Sequence, residues 1–487
     1  MRKPQSPPSL RDLFAEKTKD PDFFARALPS IRAAGADRYM PWDELRWRRP
    51  PEGMTREEWW LISKVARNGM QRMLPLTDTG SRQFTYALPD EVLRGIEVVD
   101  KHLSGRIGVP RPVTADAPGR ARYVINSLIE EAITSSQLEG ASTTHKVAKD
   151  MLRTGRKPRT RDERMILNNY QAMLRVGEIR RERLTPALIF DIHRIVTAGT
   201  LDDPSAEGRA QLPGEHRVVV EDVFDGTVLH VPPPAEQLTE RLQRLCNFAN
   251  GISDIAYVPP VVRAIVVHFM LAYDHPFLDG NGRMARILFY WSMLNQDYWL
   301  AEFLPISRIL AKAPGKYARS FLHSEQDEDD LTYFVIYQLA VIQRAITDLQ
   351  DYLAAKVTEM KRLEESLAAL SRQFNYRQVA LLQHAIKSPH VLYTVVSHAG
   401  SHDVVAQTAR MDLQGLERQG LLTRVELKRG YAWTPAEGLA ELIDPTSGSV
   451  GRHRRRSRRS RRRPPGSRGQ MRSLTPDDQD KAATAGG

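Results

Sequence analysis

Two apolar runs dominate the pattern of hydrophobic and polar positions. PPVVRAIVVHFMLAYD (259–274) and RMARILFYWSMLN (283–295) are apolar nearly all round, which predicts two buried helices. Elsewhere the period is that of helices with one apolar stripe. VINSLIEEAITSSQLEG (124–140) is such a stripe, with Gly140 available for a left-handed cap. MILNNYQAMLRVGEIR, TPALIFDIHRIVTAG and AEQLTERLQRLCNFAN follow as helices, and in the second Thr185 is placed to cap with Pro186 in the first turn. Alternation takes over in RVVVEDVFDGTVLHVPPP (217–234), whose Val-rich arms around Asp225-Gly226 predict a hairpin. Residues 1–120 read as an extension of short helices with Pro- and Arg-rich joints, and 331–371 as further long helices. After them, FNYRQVALLQHAI, HVLYTVVSHAG, HDVVAQTARMDLQGLERQGLL and TRVELKRGYAWTP predict helix, helix, helix and hairpin. No internal repeat is visible.

Between the two most apolar runs lies HPFLDGNGRMAR (275–286), a concentration of polar chemistry inside a predicted core. Asp279-Gly280-Asn281-Gly282 is a tight connection whose glycines tolerate positive φ and close approach of a ligand. It opens onto a helix starting near Arg283, whose free N–H groups and dipole favour an anion. Arg283 and Arg286 lie three apart on its first turn and oppose that dipole at about 0.3–1 kcal/mol each when no anion is present. A multiply charged anion, such as a polyphosphate, would reverse that cost. Asp279 is a single carboxylate beside the cradle, the usual way of holding Mg²⁺ together with substrate phosphates. His275, with an ordinary pKa of about 6.5, is able to take a proton from an incoming hydroxyl. These parts describe phosphoryl or nucleotidyl transfer. Each residue alone fits a plain helix-loop-helix; the combination within one short stretch favours chemistry.

The stretch resembles the Fic signature, His-x-Phe-x-Asp/Glu-Gly-Asn-Gly-Arg-x-x-Arg, without a departure. The resemblance implies a helical catalytic core over about 121–350 and transfer of AMP from ATP, with Mg²⁺, to a hydroxyl of a target protein. It makes His275 the general base, Phe277 the anchor of the loop and Asp279 the metal ligand. Asn281 with the Gly280 and Gly282 backbone would cradle phosphates, and Arg283 and Arg286 would bind their oxygens. His268 matches a position often His in the family; the simpler reading is a satisfied core histidine. The 217–234 ribbon resembles the family's flap, which positions a target segment by strand addition through Arg217, Val218, Val219 and Val220. Its Val-Val-Val-Glu-Asp-Val-Phe departs from the related pattern, so the target stays open. Tyr317 and its neighbours are candidates for a purine pocket, on which spacing is silent.

SSQLEG (135–140) resembles the family's inhibitory motif, Ser/Thr-x-x-x-Glu-Gly/Asn. Ser135 and Glu139 would then sit at the end of an inhibitory helix spanning 124–140. A Glu139 carboxylate on Arg286 would compete with a γ-phosphate for the same bidentate donor. Removal of AMP, with Glu139 orienting a water, is the alternative for the same site.

Composition alters this picture at one point. The 487 residues exceed one core, and about 150 residues per domain suggests roughly three. Hydrophobic content of 41% and a mean hydropathy of −0.43 fit a globular protein, and the single cysteine, Cys246, excludes an internal disulfide framework or thiolate cluster. No secretory pattern and no run of about eighteen apolar residues is seen, so no membrane span and a cytoplasmic location are expected. The net charge of +11 suggests nucleic acid until it is located: residues 452–487 carry +9 of it. That Arg-rich tail, 446–487, is expected to be disordered.

The expected class is mainly α: a Fic-type core with a hairpin flap, and a segment over 373–437 whose order of three helices and a hairpin resembles a winged helix. In the winged helix, 404–419 would be the recognition helix and Lys428-Arg429-Gly430 the wing tip. Gln407, Thr408 and Arg410 are its candidate DNA contacts, although Asp412 and Glu417 dilute the basic face and leave protein docking open. The leading function is an autoinhibited protein adenylyltransferase, with ATP and an unidentified target as partners and a homo-oligomer left open. The rival is a DNA-binding regulator whose core senses nucleotide.

Overall fold

Hydroxyl caps and prolines set the helix starts, and the all-round apolar runs decide what lies inside. In the computed structural model the described residues are 3–20, 22–23, 27, 38–104, 117–222, 226–253, 256–370, 373–388, 391–427, 430–439 and 442. The chain divides into two compact units, Met1–Lys356 and Val357–Gly487. In chain order the first holds α1 (Leu10–Lys17), α2 (Trp42–Leu45), α3 (Arg56–Asn68), β1 (Gln71–Thr77), β2 (Gln83–Ala87) and α4 (Asp90–Leu103). It continues with α5 (Ala117–Leu138), α6 (His145–Thr154), α7 (Arg161–Ile179), α8 (Pro186–Thr197), β3 (Val220–Glu221) and β4 (Val228–His230). Then come α9 (Leu238–Ala249), α10 (Pro260–Asp274), α11 (Asn281–Asn295), α12 (Ser307–Leu310), α13 (Pro314–Gln326) and α14 (Thr332–Leu370), which contains the boundary. The protein is mainly α-helical, as expected.

Thr185 accepts a hydrogen bond from Leu188 N with Pro186 in the first turn, so α8 starts where the sequence placed it. Helices α10 and α11 are buried on nearly every face, and Ile265, Phe269, Leu288, Trp291 and Phe334 lie in one continuous core. A smaller cluster of Ile129, Ile133, Ala148, Met151 and Ile166 packs α5, α6 and α7 together.

The N-terminal segment corrects the sequence reading. It holds an antiparallel hairpin, β1–β2, where only short helices were expected. Pro75 lies inside β1, where the register shifts between Met73 and Thr77, and a proline within a run hides a strand from the pattern. Leu74, Leu76, Phe84 and Tyr86 enter the main core, and Phe84 meets Phe269 edge-to-face at 5.7 Å. Residues 71–103 are thus built into the core on which the site rests.

The flap is also shorter than the predicted ribbon. Val220 pairs with His230 and Glu221 with Val228, with an irregularity between them, while Val218 and Val219 stay outside the ladder. Asp225 of the expected turn lies outside the described residues; Gly226 has φ of 66°.

The second unit contains α15 (Tyr376–Lys387), α16 (Val395–His402), α17 (Ala406–Arg418), β5 (Leu422–Glu426) and β6 (Tyr431–Pro435). The order is the expected helix, helix, helix, hairpin. Tyr393 adds a backbone bridge to Trp433 on β6, with reciprocal bonds of 2.7 and 2.8 Å. Leu382, Leu413, Leu416, Leu422 and Trp433 form this unit's own core. Lys428, Arg429 and the tail from 446 lie outside the described residues.

Candidate active site

The site begins where α10 ends. His275 takes the left-handed conformation (φ 45°, ψ 53°) that stops the helix, its N–H bonded to Leu271 O at 3.0 Å. A histidine there is uncommon, since a Cβ disfavours positive φ. Five residues later Gly280, at φ 88°, precedes α11, which starts at Asn281, two residues before the sequence reading placed it. The turn between them is held from both ends. Asn281 Oδ1 accepts from Phe277 N at 2.9 Å, and Asn281 Nδ2 donates to Phe277 O at 2.8 Å. The Asn281 side chain therefore staples the loop from within. Phe277 is fully buried and stacks on the His193 ring at 3.8 Å.

His193, on α8, was missed by the sequence reading. Its Nδ1 accepts from Gly208 N at 3.0 Å, and its Nε2 faces Asp279 O at 3.0 Å. That network calls for a neutral ring protonated on Nε2. Burial pushes its pKa down to about 4, consistent with that tautomer. A lone His on a helix carries no motif, so only the fold brings it to the loop.

The His275 imidazole is likewise pushed down to about 4, chiefly by burial. His230 and Arg217 act in the same direction; the Ala272 carbonyl and Glu139 oppose them. Nδ1 faces Ala272 O at 3.3 Å, so the proton belongs there and the Nε2 lone pair is free. A neutral imidazole at pH 7 follows.

The two arginines of α11 part company. Arg286 is buried; its Nε donates to Ser135 Oγ at 2.8 Å, and its Nη2 to Ser135 O and to Glu139 Oε1, both at 2.9 Å. Arg283 is wholly buried and braces the loop, donating from Nη1 to Val196 O at 3.1 Å and approaching Asp279 Oδ1 at 3.4 Å. Its Nε has no hydrogen-bond partner, and burial lowers its pKa. Arg283 is thus a strut of the loop in this structure.

Glu139 follows the C-terminal end of α5, which runs Ala117–Leu138 and so starts earlier than the predicted 124–140. Gly140 takes the left-handed conformation at φ 93°. The carboxylate lies over the amino end of α11: a Cβ on Gly282 would stand 2.2 Å from Glu139 Oε1. Only glycine leaves room for an anion there. The anion site read from the sequence therefore holds one of the chain's own carboxylates.

Asp279 Oδ1 accepts from Gly280 N at 2.5 Å, and the side chain is 38% exposed. Among the described residues no group of three or more His, Cys, Asp or Glu could hold a metal by itself. A single carboxylate with substrate phosphates is nonetheless an ordinary Mg²⁺ arrangement.

The flap is tied to this loop by Arg217, which donates to Pro233 O at 2.8 Å, His275 O at 3.0 Å and Asp274 O at 2.8 Å. Arg217 also pairs with Gln211 Oε1, and Gln211 N reaches Pro276 O at 2.8 Å. His230, on β4, faces Glu325 Oε2 and Tyr273 O, each at 2.7 Å. Burial alone would lower the His230 pKa; Glu325 more than offsets it, and two acceptors on one ring call for an imidazolium. His268 is buried with Nε2 on Tyr317 OH at 2.7 Å and Nδ1 without a partner, so it is a half-satisfied core histidine. Tyr317 is brought beside Arg286.

Residues 183–293 match the Fic/DOC family model. The protein adenylyltransferase fic-1 of Caenorhabditis elegans is 31% identical over 110 residues, 23% of this chain and 19% of that protein. The protein adenylyltransferase Fic of Nematostella vectensis is 34% identical over 107 residues, 22% of each. The chain thus spans about a fifth of the length of these relatives. Among solved structures, a Fic family protein from Desulfovibrio desulfuricans G20 superposes with a TM-score of 0.49 at 17% identity, covering 72% of this chain and 97% of that one. No described helix is long and apolar enough to cross a membrane.

Proposed function

We propose, from the premise that residues 183–293 form a Fic/DOC family domain, that this protein is an autoinhibited protein adenylyltransferase. It transfers AMP from ATP to a hydroxyl of a target protein and of itself. The observation that supports the reading best is the Glu139 carboxylate on Arg286, over Gly282 at the amino end of α11. An anion site held shut by an internal anion is a site built for an external one.

Once Glu139 withdraws, the triphosphate takes its place on Arg286 and the free N–H groups of α11. The target hydroxyl attacks the α-phosphorus; its new O–P bond forms as the bond to the β-phosphate oxygen breaks and pyrophosphate leaves. His275 Nε2 takes the hydroxyl proton. At a pKa of about 4 the imidazole is available but a weak base. The negative charge of bound phosphate raises its basicity when it is needed. Asp279 would hold Mg²⁺, which when bound neutralises triphosphate charge. The flap, braced by Arg217, would offer its edge to an extended target segment.

The test is incorporation of radiolabelled AMP into the chain. Glu139→Gly raises labelling at least about tenfold, the size of a lost charge-assisted bond, and His275→Ala abolishes it in either background. Equal labelling of wild type and Glu139→Gly would reject the switch. Removal of AMP, with Glu139 orienting a water, is the alternative at the same site. A pre-modified chain incubated with Mg²⁺ and no ATP releases AMP if Glu139 orients a water, and keeps it if Glu139 only inhibits.

A further inference from the structure

The second unit takes no part in the chemistry above, and its helix α17 is ambiguous in sequence because Asp412 and Glu417 lie on it. The structure separates these acids from the solvent face. Asp412 is 4% exposed; it receives Arg377 Nε and Asn375 Nδ2, each at 2.7 Å, and faces His398 Nε2 at 3.4 Å. Glu417 accepts from Trp433 Nε1 at 2.7 Å and lies 3.8 Å from Arg424. Both carboxylates are spent on tying α17 to α15, α16 and the hairpin. Beyond Ala406 at its first position, what α17 leaves exposed is Gln407, Arg410, Met411, Gln414 and Arg418. These positions follow i, i+3, i+4, i+7 and i+11, so they form one stripe. The stripe carries two guanidinium groups, two primary amides and no carboxylate.

We propose that this stripe is a face that reads duplex DNA in the major groove. Glutamine is matched to adenine N6 and N7, arginine to guanine O6 and N7, and an apolar tip such as Met411 to a thymine methyl. Gln407 and Arg410 stand near the amino end of α17, the part of a recognition helix that reaches base edges. Thr408 is partly buried and contributes less than the sequence suggested. The β5–β6 hairpin is placed to meet phosphates through Arg424, whose guanidinium lies 4.6 Å over the Tyr431 ring and is pre-oriented by it. Its exposed Glu426, and Asp403 at the α16–α17 turn, limit how closely the backbone approaches at those two points. A protein partner is less favoured by the stripe's own chemistry: Met411 is its one large apolar member, with Val405 and Ala406 exposed beside its amino end, against two guanidinium groups and two amides.

The proposal is independent of adenylyl transfer. The full-length protein is put through repeated selection from a pool of random-sequence duplexes at about 0.15 M salt, where sequence-blind binding is weakened. Wild type enriches a definite sequence. The double variant Gln407→Ala/Arg410→Ala then loses at least about tenfold of its preference for that duplex over a scrambled one, while AMP labelling and melting temperature stay as in wild type. Arg410→Lys, which keeps the charge but not the bidentate fork, loses preference too if bases are read. Three outcomes overturn the proposal: wild type enriches nothing, the double variant keeps the same preference, or binding is equal for every duplex and assigns the affinity to the Arg-rich residues 452–487. A double variant whose only change is loss of self-association would make the stripe a protein surface and overturn it as well.

Discussion

His275 is useful to this site because it is neutral, and the reason is burial. Its pKa is pushed down to about 4, so the ring stays neutral, with its Nε2 lone pair free, through the whole physiological range. Because kcat/KM reports the free enzyme, its acid limb in AMP transfer lies well below the 6.5 of an ordinary imidazole. The Glu139→Gly variant, freed of its plug, is the chain in which to measure it. Removing Glu139 takes away a charge that favours the protonated ring, so the limb moves further down in that variant. A profile flat from about pH 8 to about pH 5.5 is expected; a limb near 6.5 would mean that the ring is solvated. At this scale the sequence named residues that the fold brings together, but not the hydrogen bonds each of them makes. The signature letters flagged Asn281 and Arg283, yet the side chain of one staples Phe277 and the other braces Val196 and Asp279. A one-dimensional motif records which groups are present; hydrogen-bond direction is decided only when the chain closes on itself. His193 has no neighbour in sequence that marks it, because its partners come from Gly208 and Asp279.

On the proposed function the element that sets activity is α5, whose position depends on more than Glu139. Glu131, one turn before Ser135, is buried and accepts from Ser307 N at 2.9 Å and Ser307 Oγ at 2.5 Å. Burial raises its pKa even though Ser307 holds the charged form. These bonds fix α5 against the start of α12, and thereby fix where Ser135 and Glu139 fall. Glu131→Gln weakens the link by about 1 kcal/mol, so AMP labelling rises by roughly fivefold. In the Glu139→Gly background the same change leaves labelling unaltered, because no plug remains to be misplaced. Equal effects in both backgrounds would mean that Glu131 acts on the nucleotide site through Arg286 instead. Elements were legible in sequence where one apolar stripe was clean, as in α8, or where the run was apolar nearly all round, as in α10 and α11. They failed where tertiary demands broke such a pattern. The flap ladder stops short because Arg217 is turned toward the His275 loop, and β1 was overlooked because Pro75 interrupts it. Helices α15 and α16 of the second unit start at capping boxes on Asn375 and Thr394, local signals that a sequence carries by itself.

Across the whole molecule, charge and stability are distributed unevenly, and residue counts locate only the first. Counting residues places most of the +11 in 452–487. It does not reveal that the second unit, Val357–Gly487, has a core of its own. Trp433 is central to that core: it is 3% exposed, donates from Nε1 to Glu417, and bridges to Tyr393 through both backbone groups. Trp433→Ala removes the ring and strands the Glu417 carboxylate, a loss of about 3–5 kcal/mol. That exceeds what a small core withstands easily, so the second unit melts early or is unfolded at 37 °C. The catalytic groups belong to the first unit, whose core contains Phe269, Phe277 and Trp291 and draws nothing from Trp433. Calorimetry of the full-length variant should therefore show one transition lowered or lost and the other in place, with AMP labelling of the Glu139→Gly background retained. If the variant instead melts in a single transition displaced as a whole, and labelling falls with it, the two units unfold as one and the second is part of what keeps the active site standing.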